Sequence, residues 1–200
     1  MNRPAPPPRR SDDTRRRILR AARQRFTTDG YERTTIRAVA ADASIDPSMV
    51  MRYYGSKEGL FAAATAFDLR LPDLRAIAPE DRGAALVRHF FSRWEGDAED
   101  DALRVLLRSA ATNEPAALRI RTIFQRQLVP AVAAVCPERE AAERAGLMAT
   151  QMLGLAYCRY VLRLPPVAEL SIERLVARIG PTIQRYLSGP LDGPPPQASA

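Results

Sequence analysis

The decisive stretch is residues 34–57, TTIRAVAADASIDPSMVMRYYGSK. Ile36, Val39, Ala40 and Ala43 recur at helical spacing. Thr34 or Thr35 just before them supplies the hydroxyl that satisfies free N–H groups at a helix start. Asp46-Pro47 opens a second helix, because proline loses nothing at a first helical position where its N–H would be unpaired anyway. The pattern predicts helices over about 35–42 and 47–54, joined by Ala43-Ser44-Ile45-Asp46, a connection of helix-turn-helix length. Val50 and Tyr54, four apart, commit one face of the second helix to a core, and Ile45 fills the space between the two helices.

The opposite face of that second helix then presents Ser48, Met49, Arg52 and Tyr53 to solvent. In a helix-turn-helix this is the surface that enters the major groove of double-stranded DNA. Ser48 is small enough for close approach and both donates and accepts. Met49 can press on a thymine methyl, Arg52 can reach guanine O6 and N7 or a phosphate, and Tyr53 can donate to a phosphate. Thr35 and Arg37 begin the preceding helix and Lys57 begins the next, at positions where free N–H groups and the helix dipole favour an anion. Singly, each of the seven is ordinary solvated surface. Together they point to DNA.

Working outward, Ile18, Leu19, Ala22 and Phe26 form a stripe after Asp12-Asp13 that stops at Asp29-Gly30. Downstream, Ser56 caps a fourth helix expected over about 56–70, with Leu60, Phe61, Ala64 and Phe67 inward; Pro72 and Pro79 then interrupt the chain. Further apolar groups follow at Leu86, Val87, Phe90, Phe91 and Trp94, at Leu103, Leu106 and Leu107, and at Leu118, Ile123, Phe124 and Leu128. Two long helical segments close the chain over about 138–164 and 171–188. With no strand-type alternation and no internal repeat, the expected fold is all-α with about nine helices. The domain reading is a Pro/Arg-rich tail over 1–11, a DNA-binding module over 12–55, a helical regulatory body over 56–188 and a Pro-rich tail over 189–200.

Charge supports the division. Residues 1–70 carry 14 basic and 8 acidic side chains, whereas the remaining 130 carry 16 and 15. A cation surplus confined to one end suits a polyanion there. No run of apolar residues is long enough to span a membrane and no leader is recognisable, so the expected location is the cytoplasm. Cys136 and Cys158 lack metal-ligand spacing and read as buried, reduced thiols. The single histidine, His89, lies beside Phe90 and Phe91 with no nucleophile motif to serve, and Glu99, Asp100 and Asp101 read as a solvated loop. No phosphate loop or metal spacing appears; neither enzyme nor cofactor is expected.

The run Thr14-Arg15-Arg16-Arg17-Ile18-Leu19-Arg20-Ala21-Ala22, followed by Phe26, Gly30-Tyr31, Thr34-Thr35-Ile36-Arg37 and Val39-Ala40, resembles the opening of the tetracycline-repressor (TetR) family. So does Ile45-Asp46-Pro47 through Tyr53-Tyr54-Gly55-Ser56-Lys57-Glu58-Gly59-Leu60-Phe61, so that the likeness covers about residues 14–67. The resemblance implies a three-helix DNA-binding module, a fourth helix leading to a regulatory body, and a homodimer pairing through the last two long helices. It carries the role of DNA contact to Thr35, Arg37, Ser48, Met49, Arg52, Tyr53 and Lys57. Three positions depart from the pattern: Ser44 stands where glycine is usual in the turn, Met51 where tyrosine is common, and Tyr53 where histidine is common.

The function expected is therefore a ligand-responsive regulator, a repressor on a near-palindromic operator. The alternatives are a DNA-binding regulator without a small-molecule effector and a basic helical protein on a membrane surface. Phe90, Trp94, Phe124, Met148, Met152 and Tyr157 are the candidates for an effector cavity, with Gln151 or Tyr157 to orient a polar group. The same side chains equally serve a ligand-free core. Ala149, Gly154 and Ala156 permit close helix approach, and Ile172, Leu175, Val176, Ile179, Ile183 and Leu187 form a stripe suited to a dimer seam or to internal packing. Gly180-Pro181 within that stripe is expected to bend its helix.

Overall fold

The computed structural model describes residues 10–95 and 101–191, with the side chains of Arg10 and Asp101 left aside. Every regular element among them is helical. In order these are α1 (Arg10–Arg33), α2 (Ile36–Asp42), α3 (Pro47–Tyr54), α4 (Lys57–Ala64), α5 (Arg82–Trp94), α6 (Asp101–Ser109), α7 (Glu114–Ile123), α8 (Val129–Ala133), α9 (Glu138–Ala156), α10 (Pro165–Glu169) and α11 (Ile172–Ser188). Wide π turns at Phe124–Leu128 and Tyr157–Val161 join α7 to α8 and extend α9, and two short 3₁₀ turns precede α5. Taking α7 and α8 as one run and setting aside the single turn of α10 leaves the nine helices that the periodicity predicts. The acidic residues Glu99 and Asp100, most of the N-terminal tail and residues 192–200 lie outside the described residues; Ser11, placed in the tail by composition, is helical.

Two compact units divide the described chain, one built from the residues up to Phe67 with Asp101–Arg119, the other from Asp68 onward and from Ile120 onward. In the first, Ile18, Ala22, Phe26, Val39, Ala40, Val50, Leu60 and Phe61 are buried almost completely. Phe26, Tyr31 and Phe61 form an aromatic knot, with Phe61 edge-on to each of the other two at 5.0 Å between centroids. This knot fixes α4 on α1, so by packing α4 goes with the first three helices, although the sequence boundary was drawn after Gly55. Ala102, Val105 and Leu106 of α6 are buried in the same unit, where Arg108 donates to the Thr27 carbonyl at 3.2 Å.

The caps fall where the side chains dictate. Thr35, not Thr34, caps α2, its hydroxyl accepting from the Ala38 N–H at 3.1 Å, while Thr34 is buried and donates to the Gly30 carbonyl at 2.7 Å. Asp46 accepts from the Ser48 N–H at 2.8 Å and Ser56 from the Gly59 N–H at 3.0 Å. Gly30 has φ 76°, and the α-helical geometry of α1 breaks there. The fourth helix ends at Ala64 rather than near residue 70: Thr65 turns its hydroxyl back onto the Phe61 carbonyl at 2.7 Å, and the chain leaves the helix with Phe67 still buried.

Ser44 adopts φ 52° in the turn between α2 and α3, the left-handed region in which an L side chain costs about 1–2 kcal/mol. Its side chain is exposed, and what holds the turn is Arg17, whose guanidinium donates to the Ala43 and Ser44 carbonyls. Ser44→Gly is expected to raise stability by about 0.5–1 kcal/mol, the left-handed strain relieved less the extra chain entropy of glycine in the unfolded state. Thermal melting checks it: a lower midpoint for the glycine variant contradicts the strain.

In the second unit α5, α9 and α11 enclose Leu86, Val87, Phe91, Ala141, Ala145, Met148, Leu175, Val176, Ile183 and Leu187. The α11 stripe packs against α5 and α9 of the same chain, with Leu175, Val176, Ile183 and Leu187 buried and Ile172 and Ile179 only partly so. Gly83 and Gly180 let α5 and α11 meet backbone to backbone, since a Cβ on Gly83 would stand 2.5 Å from the Gly180 carbonyl oxygen. Gln184 of α11 also accepts from the Gly83 N–H at 2.8 Å and donates to the Pro79 carbonyl at 2.9 Å. It thereby does the capping that α5's own N-cap residue, Asp81, does not. The helix runs on through Pro181. Leu69 is held from both sides, its N–H by the Gln127 amide oxygen at 2.6 Å and its carbonyl by His89 Nε2 at 2.8 Å.

Candidate nucleic-acid interface

All seven proposed DNA contacts lie in the first unit, on α2, on α3 and at the start of α4. Val50 is fully buried and Tyr54 half-buried, so α3 turns its other side outward: Ser48 and Arg52, one turn apart, are exposed, and Met49 and Tyr53 half-exposed. Thr35 and Arg37 are exposed at the head of α2. Asp46 is held below the usual carboxylate range by its hydrogen bonds to the Ser48 side chain and N–H, which keeps the start of α3 capped by a charged group.

Besides Thr35 and Ser48 in their capping bonds, Lys57, Tyr53 and Arg52 are already engaged within the subunit. The Lys57 ammonium donates to the Glu32 carbonyl at 3.1 Å and sits 4.3 Å from the centroid of Tyr31. The Tyr31 hydroxyl donates to Glu58 at 3.0 Å, and burial pushes that hydroxyl up to about 12. Tyr53 has two guanidiniums over its ring, Arg52 at 5.6 Å and Arg15 of α1 at 5.2 Å from the centroid. Arg15 carries no signal in the sequence beyond membership of a basic run, because only the fold brings α1 to the flank of α3. Behind this surface Arg25 spans α1 and α2, donating to Asp42 at 2.8 Å and Asp29 at 3.2 Å, and these bonds hold the Asp42 carboxyl below its ordinary value.

The profile of bacterial regulatory proteins of the tetR family matches residues 18–64, the stretch that builds this surface. A second profile, the tetracyclin repressor-like C-terminal domain, matches residues 80–187, more than half of the chain. The chain belongs to the TetR family. Among curated relatives, the HTH-type transcriptional regulator BetI of Rhizobium meliloti (strain 1021) is 28% identical over 190 residues, 90% of this chain and 92% of BetI. A TetR-family regulator from Streptomyces coelicolor A3 superimposes with a TM-score of 0.62 at 27% identity, over 92% of this chain and 99% of that one. SmeT, in a structure with triclosan, superimposes with a TM-score of 0.60 at 19% identity over 84% and 90% of the two chains. The TetR family is one of transcriptional regulators, and this chain is a DNA-binding regulator of that type. No helix among the described residues is long and apolar enough to cross a membrane.

In the TetR-type C-terminal half, five of the six cavity candidates come together around one core. Met148 is buried, Phe90, Phe124 and Met152 pack against the same cluster, and Phe90 lies 5.5 Å from Trp94 between ring centroids. Tyr157 does not join them. It is 42% exposed where the π turn after α9 begins, about half a helical revolution round from buried Met148, which corrects the expectation that it lines the cavity. The aromatic that the sequence reading missed is Tyr160, stacked flat on Trp94 at 4.9 Å and 3°. Its hydroxyl donates to Glu95 at 2.9 Å, and burial drives its pKa up. Arg159 donates to Glu95 at 3.1 Å and to the carbonyls of Val167, Ala168 and Leu170, fastening α10. Tyr160 lies within the π turn that follows α9. Leu118 also departs from expectation, standing exposed on α7, and both cysteines are half-buried, with burial pushing the Cys136 thiol up.

Proposed function

We propose that this chain is a homodimeric repressor that reads a near-palindromic operator with α3 and releases it when a small apolar effector enters the helical body. The observation that carries the DNA half is the division of α3, with Val50 wholly inside and Ser48 and Arg52 open to solvent. Thr35, Arg37, Ser48, Met49, Arg52, Tyr53 and Lys57 are its contacts in this reading. Two such helices related by a dimer axis reach successive major grooves roughly 34–36 Å apart. The effector half is supported by the cluster of Phe90, Trp94, Phe124, Met148 and Met152, by the repressor-like C-terminal profile, and by the SmeT–triclosan structure as a case within the fold. An effector that favours one spacing of the two α3 helices shifts the population and needs no contact with DNA. The dimer is assigned to α9 and α11, on the faces left open once their inner stripes are spent; Gly146 and Gly154 of α9 have nothing of their own chain against them.

The test is fragment capture from genomic DNA to find the operator, followed by fluorescence anisotropy with Arg52→Ala. The variant is expected to bind the operator about 1–3 kcal/mol more weakly and to discriminate less at the base pair that Arg52 reads. Unchanged affinity and unchanged base preference refute the role of α3 as the reader.

A further inference from the structure

The sequence assigns DNA contact to α2, α3 and the start of α4, but the folded surface continues onto α1. Arg15 lies over one side of the Tyr53 ring and Arg52 near the same ring, at 5.2 and 5.6 Å from its centroid. The neighbouring arginines of α1 are committed elsewhere, Arg16 to Asp13 at 3.4 Å and Arg17 to the carbonyls of Ala43 and Ser44. Among the described residues neither Arg15 nor Arg52 has a carboxylate partner, and both are exposed. Two like charges gathered on one ring with no anion beside them favour the approach of the polyanionic duplex, and Arg15, off the reading helix, is left to its backbone. The ring is more than a spacer: its hydroxyl adds a neutral donor on the same side chain, and a planar guanidinium offers forked donors that match phosphate oxygens.

We infer that Arg15 and the Tyr53 hydroxyl form a clasp for a single backbone phosphate of the duplex, beside the base-reading Arg52, with Arg15 as a DNA contact contributed by α1. This rests on α3 being the DNA-reading helix. It assigns Arg15 a sequence-independent role, because a phosphate carries no base identity. The ring stack holds the Arg15 guanidinium beside α3, so the contact is present before DNA arrives and little side-chain freedom is left to lose on binding.

The experiment measures affinity for the captured operator and for an unrelated duplex over a range of salt concentrations, with wild type, Arg15→Gln and Arg15→Lys. With Arg15→Gln both affinities should fall by a similar factor, and the slope of log K against log salt should become shallower by about 0.9, the signature of one lost phosphate. Arg15→Lys, which keeps the charge, should restore most of the slope. An unaltered slope in Arg15→Gln overturns the clasp while leaving the regulator reading intact, and so does a loss confined to the operator. A wild-type protein that binds neither duplex brings down both. Melting temperatures measured alongside separate the clasp from a fold-supporting role: a lowered midpoint with an unchanged slope assigns Arg15 to packing and overturns it.

Discussion

Gly83→Ala is expected to lower the melting temperature by roughly 4–12 °C, from about 2–3 kcal/mol of lost stability. The direction runs against helix propensity, since alanine in place of a helical glycine ordinarily contributes about 0.5–1 kcal/mol. Contact decides the sign. The added Cβ would stand 2.5 Å from the Gly180 carbonyl oxygen and 2.7 Å from both the backbone nitrogen and the Cβ of Gln184, separations that only movement of one helix can relieve. Moving α5 away from α11 would also stretch the 2.8 Å bond from the Gly83 N–H to Gln184 and loosen Val87 and Ile183, both fully buried. If Gly83→Ala melts at or above the wild-type midpoint, the two helices do not cross as closely as described.

Arg144→Ala is the second large loss. Arg144 is 6% exposed on α9, and its guanidinium donates to Glu140 at 2.7 and 3.0 Å and to the carbonyls of Tyr186 and Gly189 at 2.8 and 2.9 Å. It therefore ties α9 to the end of α11, where backbone carbonyls have no helical partner. Leaving a buried acceptor unsatisfied costs about 1–3 kcal/mol, and with two carbonyls released the expected loss is on the order of 3 kcal/mol by chemical denaturation. The bond from Arg144 also holds the Glu140 carboxyl below its ordinary value of 4.5. A carboxyl depressed in the folded state contributes stability that is fully present above its unfolded value and is lost as pH falls through the depressed folded value. Wild-type stability should therefore decline on acidification below about pH 4.5 with a contribution from this pair, and the decline should be shallower in Arg144→Ala. An equally steep decline in the variant would mean that the ion pair is not formed in solution.

The helix-turn-helix was legible in the sequence because its signals are local. Asp46-Pro47, Ser56 and Gly30 each act within one turn of themselves, and Val50 with Tyr54 declares an inner face without reference to the rest of the chain. Even the odd residue of the turn was informative, since serine at 44 does take the left-handed backbone that glycine usually supplies. The end of α4 was less readable: Phe67 continues the apolar spacing, and nothing in the spacing reveals that Thr65 has already turned back on Phe61. In the second unit the stripe of α11 was visible but its destination was not, because an apolar face looks the same whether it meets its own chain or another. Tyr157 was misplaced for a third reason. Its aromatic ring suggested a pocket wall, yet at about 100° per residue it already lies on the side of α9 opposite buried Met148, and Tyr160 is the tyrosine that meets Trp94. Arg15 on Tyr53 belongs to yet another class, a contact 38 positions apart that no local pattern could announce.

The cap that Gln184 places on α5 has a bearing on the order in which the chain takes shape. The Gly83 N–H finds its acceptor 101 positions further along, and the Pro79 carbonyl its donor 105 positions along. While the chain is being synthesised, the opening turn of α5 has only water for these groups until α11 has emerged. That end of the helix frays until the last segment docks, whereas α2, α3 and α4 carry their caps beside them and can close within the first third of synthesis.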